Sequence, residues 1–370
     1  MTDIVDRTSS EPTPSTPPRR RIQRPWDWPS RSDESRPTMR AVVQHGYGEP
    51  PDVLRVERRA VPRPGPGEVL VRIRATSVNT PDWIATTGRP TILRLKSGLI
   101  GPRSPIRGTD VAGVVAQVGE GVTDLAVGEE VFGSLWADSL DTGDAGTFAE
   151  FTVTSAEKLW RKPPGVSFGA AAASVMSGAT ALVAMTETVP VGPGQRVLVN
   201  GASGGVGTFA VQIAKHCGAI VTGVCSTANV DLVRRLGADE VVDYARTDLT
   251  DLDAEFDVIL DNVLNHPMSV MRRLLPDDGV YLPNSIGRGG SFLAGLPRIG
   301  RAVLANVFGR VRVGQVNCRI DHGTLATLAE LLESGDVEAI VGSMYPLDQA
   351  ADAVGHMLTR HAVGNIVIEV

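Results

Sequence analysis

The sequence predicts an α/β protein in which a β-rich, barrel-like domain is joined to a doubly wound parallel sheet. Short β segments, separated by glycines and prolines, fill the chain from Met39 to about residue 164. Strands and helices then alternate over residues 165–310, which is typical of a parallel sheet with helices on both faces. A glycine-rich turn also joins a buried strand to an amphipathic helix at residues 197–215.

Residues 1–38 precede this folded part and differ from it in composition. They are rich in proline, serine and arginine, and they lack aliphatic periodicity. Such a segment cannot bury enough apolar surface to fold, so we predict a disordered tail. A partner-binding patch at residues 19–28 is the alternative, because three arginines are followed there by two tryptophans. The tail has no apolar core segment of the kind that marks a secretory signal.

Residues 39–164 form the first domain, whose regular elements are predicted as short strands. These strands are expected at residues 40–44, 53–58, 69–75, 111–118, 129–132 and 149–153. The alanine-rich residues 166–186 predict a buried helix that leads into the second domain.

Residues 165–310 form the second domain, and residues 311–370 are expected to return to the first. The strands of the second domain are expected at residues 197–200, 219–224, 240–243, 256–261 and 280–282. The last part of the chain is predicted to form a helix at 324–334, a short strand near Ile340, a helix at 347–360 and a strand at 365–370.

The strand, turn and helix at residues 197–215 read VLVNGASGGVGTFAVQIAK and carry the strongest functional signal. The glycines allow the backbone to approach a phosphate closely, and the helix N-terminus offers N–H groups with positive partial charge. The segment therefore predicts the pyrophosphate site of a nicotinamide cofactor, which carries hydride chemistry. A glycine-rich turn in an unrelated α/β protein is the alternative.

The end of the next strand indicates which nicotinamide cofactor binds. NAD-binding folds usually place Asp or Glu about 20 residues beyond the glycines, to hold the ribose 2′-hydroxyl. Here the strand is followed by Ser226 and Thr227, with no carboxylate until Asp231. Small hydroxyls leave room for a 2′-phosphate, so NADPH is favoured over NADH. A cation is missing, because Arg234 and Arg235 are interpreted as solvated helix charges.

Composition and charge argue against several other function classes. The net charge of −6 gives no reason to expect nucleic-acid binding. The three cysteines form no disulfide framework and match no metal spacing, which is typical of a reducing, cytoplasmic compartment. No membrane span is predicted, because the longest apolar run is interrupted by serine and threonine.

Further motifs, taken in order, resemble those of one known family. They are SVNTPD at 77–82, GTDVAGVV at 108–115, GEEVFG at 128–133, GTFAEF at 146–151, SGATAL at 177–182 and LGAD at 236–239. From Met39 to Val370 the chain is similar to the medium-chain dehydrogenase/reductase superfamily, in its zinc-free quinone oxidoreductase and enoyl reductase branch. The resemblance implies a GroES-like catalytic domain interrupted by a Rossmann cofactor domain, a cleft between them for nicotinamide and substrate, and a homodimer.

The resemblance also implies which residues form the site. It places Asn79 and Thr180 beside the nicotinamide, where the Asn79 amide would donate to negative charge that develops on the substrate. The other implied cofactor-binding residues are Ser203, Gly204, Gly205 and Val206 at the pyrophosphate, Ser226 and Tyr244 at the ribose phosphate, and Asn262 and Ser285 at later strand ends. Structural alternatives stay open: Asn79 would hold a loop, Thr180 would be a helix-surface hydroxyl, and Tyr244 a half-buried aromatic residue.

Zinc is not expected, and the expected activity is a reduction. Zinc alcohol dehydrogenases of this superfamily need an early Cys and His, yet no cysteine precedes Cys217 and His45 is the only histidine before His216. We therefore expect an NADPH-dependent, zinc-independent oxidoreductase that transfers hydride to a small molecule, either a quinone or an activated alkene or carbonyl. The alternatives are a non-catalytic NADPH-binding or structural protein and a trans-acting enoyl reductase of a lipid or polyketide pathway. Trp83, found where family enoyl-thioester reductases use tyrosine, weighs against the last.

The chain departs from the family pattern at three places. Ala228 replaces a frequent basic residue, residues 264–265 are Leu-Asn where Gly-Gly is frequent, and Asn365 replaces a frequent lysine. We expect these changes to weaken NADPH binding, because they remove cations and flexibility around the cofactor. Residues 91–104 are expected either to line or cover the substrate cleft or to form a surface loop.

Overall fold

The computed structural model describes residues 36–91, 94–99, 101, 102, 104–135, 146–285, 312–359 and 361–370, with only the backbone of 96 and 97. The predicted tail at residues 1–38 lies almost entirely outside these residues. The segment at 91–104 lies partly outside them. The unit Arg36–Val370 holds both predicted domains.

The first domain contains a separate two-stranded ribbon and a larger mixed sheet. The ribbon pairs β1 (Thr38–Gln44) with β2 (Leu54–Ala60). The strands of the larger sheet, numbered in chain order, are β3 (Glu68–Val78), β4 (Asp110–Val118), β5 (Glu130–Ser134), β6 (Phe151–Ser155), β7 (Leu159–Arg161), β14 (Val341–Pro346) and β15 (Asn365–Glu369). Their order is β14-β15-β3-β4-β5-β7, and β6 also pairs with β3. Because β3 has three partners, most of its residues are buried.

The second domain contains a six-stranded parallel sheet. Its strands are β8 (Arg196–Asn200), β9 (Ile220–Cys225), β10 (Glu240–Asp243), β11 (Val258–Asp261), β12 (Val280–Pro283) and β13 (Arg312–Val313). The order β10-β9-β8-β11-β12-β13 changes direction between β8 and β11. Ligands of open α/β sheets bind at such a switch point, outside the carboxyl ends of the strands.

Helices cover both sheets and connect their strands. They are α1 (Pro50–Val53), α2 (Thr80–Thr87), α3 (Arg94–Ser97), α4 (Phe168–Leu182), α5 (Gly205–His216), α6 (Val230–Arg235), α7 (Met268–Arg273), α8 (His322–Ser334) and α9 (Ala350–Thr359). Short 3₁₀ turns lie at Ala156–Lys158, Thr227–Asn229, Leu249–Asp251 and Leu347–Gln349.

Helix α4 is the central helix of the molecule. Ser167 caps it, because its Oγ accepts a hydrogen bond from the Ala170 N–H at 3.1 Å. Its small side chains let it pack against the larger sheet of the first domain and against α5 and α8. The helix continues as a π-helical turn, Val183–Thr188. Among the described helices, only Phe168–Thr188 is long and apolar enough to cross a membrane, and 89% of its most apolar stretch is buried inside the protein.

The predicted fold class is confirmed, and the observed strands differ from the predicted ranges by only a few residues. Sequence patterns missed α2, which has a proline in its first turn, and the very short strands β7 and β13. Strand β13 pairs with β12 and thus adds a strand to the parallel sheet just beyond the predicted domain boundary at residue 310.

Candidate active site

The glycine turn between β8 and α5 is shaped by close backbone contacts. Gly201 has a φ of +80°, a left-handed conformation that lets the chain turn sharply after β8. A Cβ atom on Gly207 would lie 2.1 Å from the Gly201 carbonyl oxygen, so only glycine fits between α5 and the end of β8. The turn and the first N–H groups of α5 therefore lie together at the carboxyl edge of the sheet.

The same turn also contacts the first domain. The Gly364 N–H donates to the Ser203 carbonyl oxygen at 2.8 Å. A Cβ atom on Gly205 would lie 2.7 Å from Asn365 Oδ1 and 2.9 Å from Ser177 Oγ. Ser177, on α4, donates to Asn365 Oδ1 at 2.7 Å. The turn is therefore held between α4 and β15, and Val206 behind it packs against the central core.

Ser226 follows β9 and belongs to a small polar cluster with the glycine turn. Asn229 Nδ2 lies 3.1 Å from Ser203 Oγ and 3.2 Å from Ser226 Oγ, so it can donate to both hydroxyl oxygens. A hydroxyl that accepts a hydrogen bond keeps its own O–H as a donor. The cluster thus brings together two of the predicted residues and leaves both hydroxyls able to donate.

Strand β10 adds charged groups beside this cluster. Thr227 Oγ1 donates to Asp243 Oδ2 at 2.7 Å, and Arg246 Nε lies 3.3 Å from the same oxygen. Tyr244 is 54% exposed. Tyr244 is a predicted residue at this place, whereas Arg246 was not predicted, although the Asp-x-x-Arg spacing at the end of a strand was an available signal.

The carboxyl ends of β8 and β11 are joined through a buried carboxylate. Asp261 Oδ1 accepts a hydrogen bond from Asn200 Nδ2 at 2.8 Å, and Asp261 Oδ2 accepts one from the Tyr281 hydroxyl at 2.8 Å. The N–H groups of Val263 and Leu264 also donate to Asp261 Oδ1. Leu264 has a φ of 56°, so this turn uses the left-handed region where the family resemblance led us to expect glycine.

Two asparagines follow β11 and β12 at the same edge. Asn284 Nδ2 donates to Asn262 Oδ1 at 2.7 Å. Asn262 Nδ2 is buried and has no hydrogen-bond partner within the part of the chain that the structure describes. An unsatisfied buried amide is costly, so this group is a donor suited to a ligand. Ser285 follows Asn284 and is half-buried.

On the first domain, Asn79 lies in a buried polar network. Its Nδ2 donates to Asp110 Oδ2 at 2.8 Å and lies 3.0 Å from Ser77 Oγ. Its backbone N–H donates to Asp82 Oδ2 at 2.7 Å, which fixes the start of α2. In this arrangement the Asn79 amide is bonded within the protein, and its role beside the nicotinamide stays a prediction.

Asp110 connects this network to helix α4. Its Oδ2 accepts hydrogen bonds from Ser77 Oγ at 2.7 Å and from the Met176 N–H at 3.1 Å, and its Oδ1 accepts one from Ser134 Oγ at 3.2 Å. Burial raises the pKa of Asp110 to about 6, although these hydrogen bonds act in the opposite direction. Burial likewise raises the pKa of Asp82 to about 7. Asp110 belongs to one of the family motifs but had no predicted role, although an acidic residue at the start of an otherwise apolar strand was an available signal.

Thr180 lies one turn beyond Met176 on α4. Thr180 Oγ1 donates to the Met176 carbonyl oxygen at 2.7 Å, and Cys318 Sγ lies 3.9 Å from that oxygen. Burial raises the pKa of the Cys318 thiol to about 11, so the thiol is neutral at ordinary pH. Through Met176 and Asp110, the structure brings Asn79 and Thr180 into one connected region.

Comparisons with known proteins show to which family the chain belongs. The family described as "Alcohol dehydrogenase GroES-like domain" matches residues 65–164, and the family described as "Zinc-binding dehydrogenase" matches residues 236–368. The chloroplastic quinone-oxidoreductase QR1 of Triphysaria versicolor is 31% identical over an alignment of 347 residues that covers 90% of this chain and 98% of that protein. The chain belongs to the medium-chain dehydrogenase/reductase superfamily.

Further members place the chain in the quinone oxidoreductase-like branch of this superfamily. The chloroplastic NADPH-dependent alkenal/one oxidoreductase of Arabidopsis thaliana is 30% identical over 336 residues, covering 89% of this chain and 79% of that protein. The Escherichia coli quinone oxidoreductase complexed with NADPH has a TM-score of 0.75 and 25% identity, covering 90% of this chain and 100% of that one. The Coxiella burnetii quinone oxidoreductase shares the fold, with a TM-score of 0.77 and 23% identity over the same fractions. The protein is therefore an oxidoreductase of this branch.

One of the two family descriptions names zinc binding. Among the described residues, no group of three or more His, Cys, Asp and Glu side chains is arranged to hold a metal ion.

Proposed function

We propose that the protein is an NADPH-dependent, zinc-independent reductase that transfers hydride to quinones or to activated alkenes and carbonyls. The observation that carries the proposal is the polar cluster of Ser203, Ser226 and Asn229 between the glycine turn and the end of β9. It offers hydroxyl donors at the strand end where NAD-binding folds use a carboxylate. The names of the quinone and alkenal/one oxidoreductases that it resembles support the same reaction class.

Two further features favour NADPH over NADH. Arg246 supplies an exposed cation at the strand end next to β9, and a guanidinium suits a phosphate group. Asp243 lies beside it, but its oxygens already accept hydrogen bonds from Thr227 Oγ1 and the Ala245 N–H and pair with Arg246. The carboxylate is therefore partly neutralised by the protein before any ligand arrives.

The residues present fit a dinucleotide. Gly201 and Gly207 keep the turn narrow enough for backbone N–H groups to face a pyrophosphate. Asn262 offers a buried Nδ2 whose hydrogen-bonding capacity is unused among the described residues, at the switch point where such ligands lie. When bound, the nicotinamide supplies the hydride.

The remaining groups of the site act by positioning and by excluding water. Thr180 is anchored by its bond to the Met176 carbonyl oxygen, so its Oγ1 lone pairs have a fixed direction. Asn79 is anchored by Asp110 and by its backbone bond to Asp82. Reduction of a carbonyl-conjugated acceptor leaves negative charge on an oxygen, which then needs a hydrogen-bond donor and finally a proton. We propose that Asn79 fills the first role by keeping its bond to Asp110 and giving up its longer one to Ser77 Oγ, which frees one Nδ2 hydrogen for the substrate oxygen, and that solvent supplies the proton.

Zinc independence rests on the sequence, which has no cysteine before Cys217. The homodimer and the cytoplasmic location stay predictions, and the plant relatives named above are described as chloroplastic.

The proposal is tested by NADPH oxidation with the purified full-length chain, a metal chelator and a panel of quinones and α,β-unsaturated carbonyls, with NADH as the control cofactor. We expect chelator-resistant turnover that is faster with NADPH. Turnover that the chelator abolishes would contradict zinc independence. Nucleotide binding without turnover of any acceptor would favour the non-catalytic alternative, and turnover of carrier-linked enoyl thioesters alone would favour the enoyl reductase.

A further inference from the structure

Polar contacts link Asn79 to helix α4, which packs against the glycine turn. Asp110 Oδ2 accepts hydrogen bonds from Asn79 Nδ2 at 2.8 Å and from the Met176 N–H at 3.1 Å. The next residue on α4 is Ser177, and its Oγ lies 2.9 Å from the place that a Cβ atom would take on Gly205. One fully buried carboxylate therefore lies between the residue assigned to the substrate and the helix that touches the cofactor turn.

We propose that Asp110 is a positioning residue of the reductase site: its ionised carboxylate fixes the orientation of the Asn79 amide and holds α4 against the first domain. This inference rests on the proposed function, because it takes Asn79 as a group that faces the substrate. Asp110 is fully buried and is bonded to Ser77, Asn79, Ser134 and Met176, so we infer that it acts through Asn79 and α4.

The chemistry of the partners explains why ionisation matters. An ionised carboxylate only accepts hydrogen bonds, and the three groups around Oδ2, on Ser77, Asn79 and Met176, are all able to donate. A proton on Asp110 would replace one accepting site by a donor. The Asn79 amide could then rotate by half a turn and present its oxygen instead, so its orientation would no longer be unique.

The surroundings of Asp110 place this change near neutral pH. Burial raises the pKa of Asp110 to about 6. Asp82 on α2 and the neutral Cys318 thiol before α8 interact electrostatically with Asp110. Arg107, before β4, interacts with Asp82. Lowering the pH below about 6 neutralises the Asp110 carboxylate, and the Asn79 amide then loses its single orientation.

The first test compares kcat and KM across roughly pH 5 to 9 for the wild type, Asp110→Asn, Ser77→Ala and the control Asp239→Asn. Asp239 is a carboxylate that accepts hydrogen bonds from Lys215 and the Val221 N–H, outside the site. We expect wild-type kcat to fall on the acid side with an apparent pKa of about 6. In Asp110→Asn, we expect kcat to fall by about tenfold to a hundredfold and the acid limb to disappear, with the Kd for NADPH changed less than roughly twofold.

Ser77→Ala separates positioning from folding. It removes one donor to the ionised form of Asp110, so we expect the acid limb to move to higher pH. Asp239→Asn should keep the wild-type profile. The proposal would be overturned if the Asp110→Asn variant had the same kcat as the wild type and kept the same acid limb. If that variant does not fold, an unmoved acid limb in Ser77→Ala would overturn it.

A second readout needs no turnover. In protein labelled with ¹⁵N-asparagine, the side-chain amide signals of Asn79 should shift with a midpoint at about pH 6 in the wild type, with a higher midpoint in Ser77→Ala. Signals that do not titrate would overturn the role of Asp110. A normal titration in a protein that reduces no acceptor would support the coupling of Asp110 to Asn79 and locate the failure in the proposed function.

Discussion

At the scale of single residues, the site consists of polar side chains that hold one another before any ligand binds. Asn229 Nδ2 contacts the hydroxyl oxygens of both Ser203 and Ser226. Asp110 accepts hydrogen bonds from Asn79 and from a backbone N–H of α4. Preorganised groups of this kind lose little freedom when a ligand arrives. Most of these partners lie far apart in the chain, so sequence motifs named several of them without revealing their pairings.

Arg246 is predicted to contribute to the choice of cofactor. Arg246→Ala removes an exposed guanidinium that is bonded only loosely to Asp243, with Nε and Oδ2 3.3 Å apart. We expect the Kd for NADPH to rise about tenfold, because a hydrogen bond to a charged group contributes roughly 1.5 kcal/mol or more. The Kd for NADH should stay nearly constant, as measured by nucleotide fluorescence titration.

The matched control for this change is Arg234→Ala. Arg234 is also exposed and lies 3.9 Å from the Asp231 carboxylate on α6. The Arg234→Ala variant should leave the Kd values for NADPH and NADH unchanged. Equal weakening of NADPH and NADH in Arg246→Ala would show that Arg246 does not recognise the 2′-phosphate.

Asp82 is predicted to make stability depend on pH. Burial raises its pKa in the folded protein to about 7, whereas the pKa of an Asp in an unfolded chain is about 3.9. Folding therefore takes up a proton between these values, and the stabilisation from neutral Asp82 is complete below the unfolded pKa and lost as the pH rises through the folded one. We expect the unfolding free energy of the wild type, relative to Asp82→Asn, to decrease from roughly pH 4 to 7 in urea titrations.

Asp277→Asn provides the control for this measurement, because the Asp277 side chain is fully exposed. Its unfolding free energy should follow that of the wild type at every pH. A difference between wild type and Asp82→Asn that does not change with pH would contradict the burial of Asp82.

At the scale of elements, the packing of α5 on β8 decides whether the cofactor turn can form. Gly207→Ala would place a Cβ atom 2.1 Å from the Gly201 carbonyl oxygen, and backbone atoms at this contact have little room to shift. We expect the unfolding free energy to fall by roughly 1–3 kcal/mol, as for other overpacked sites. NADPH affinity should fall as well, because the turn must move.

The control for Gly207→Ala is Gly355→Ala. Gly355 lies inside α9, and a Cβ atom there meets nothing within 4 Å. Alanine is the better helix former, so this variant should be unchanged or stabilised by about 0.5–1 kcal/mol. Denaturant titration measures both, and equal stability of the two variants would show that the contact at Gly207 relaxes without cost.

At the scale of the whole molecule, the pattern of short strands, helices and glycine turns was enough to predict the α/β fold class. The alternation of buried strands and helices over residues 196–283 predicted the parallel sheet, because strands buried on both faces have few polar residues. Short elements such as β13 and α2 have too few residues for a period to show. Asp110 and Arg246 each carry a short local signal, but such a signal does not specify what the side chain contacts in the folded protein, so their roles were not predicted.

The most direct test of the account is the ratio of the equilibrium dissociation constants for NADPH and NADH, measured on the full-length chain with a chelator present. The hydroxyl cluster at Ser226 and the cation at Arg246 predict that NADPH binds more tightly, by about tenfold or more. Equal affinities, tighter binding of NADH, or no binding of either nucleotide would contradict the cofactor site on which the proposed reductase depends.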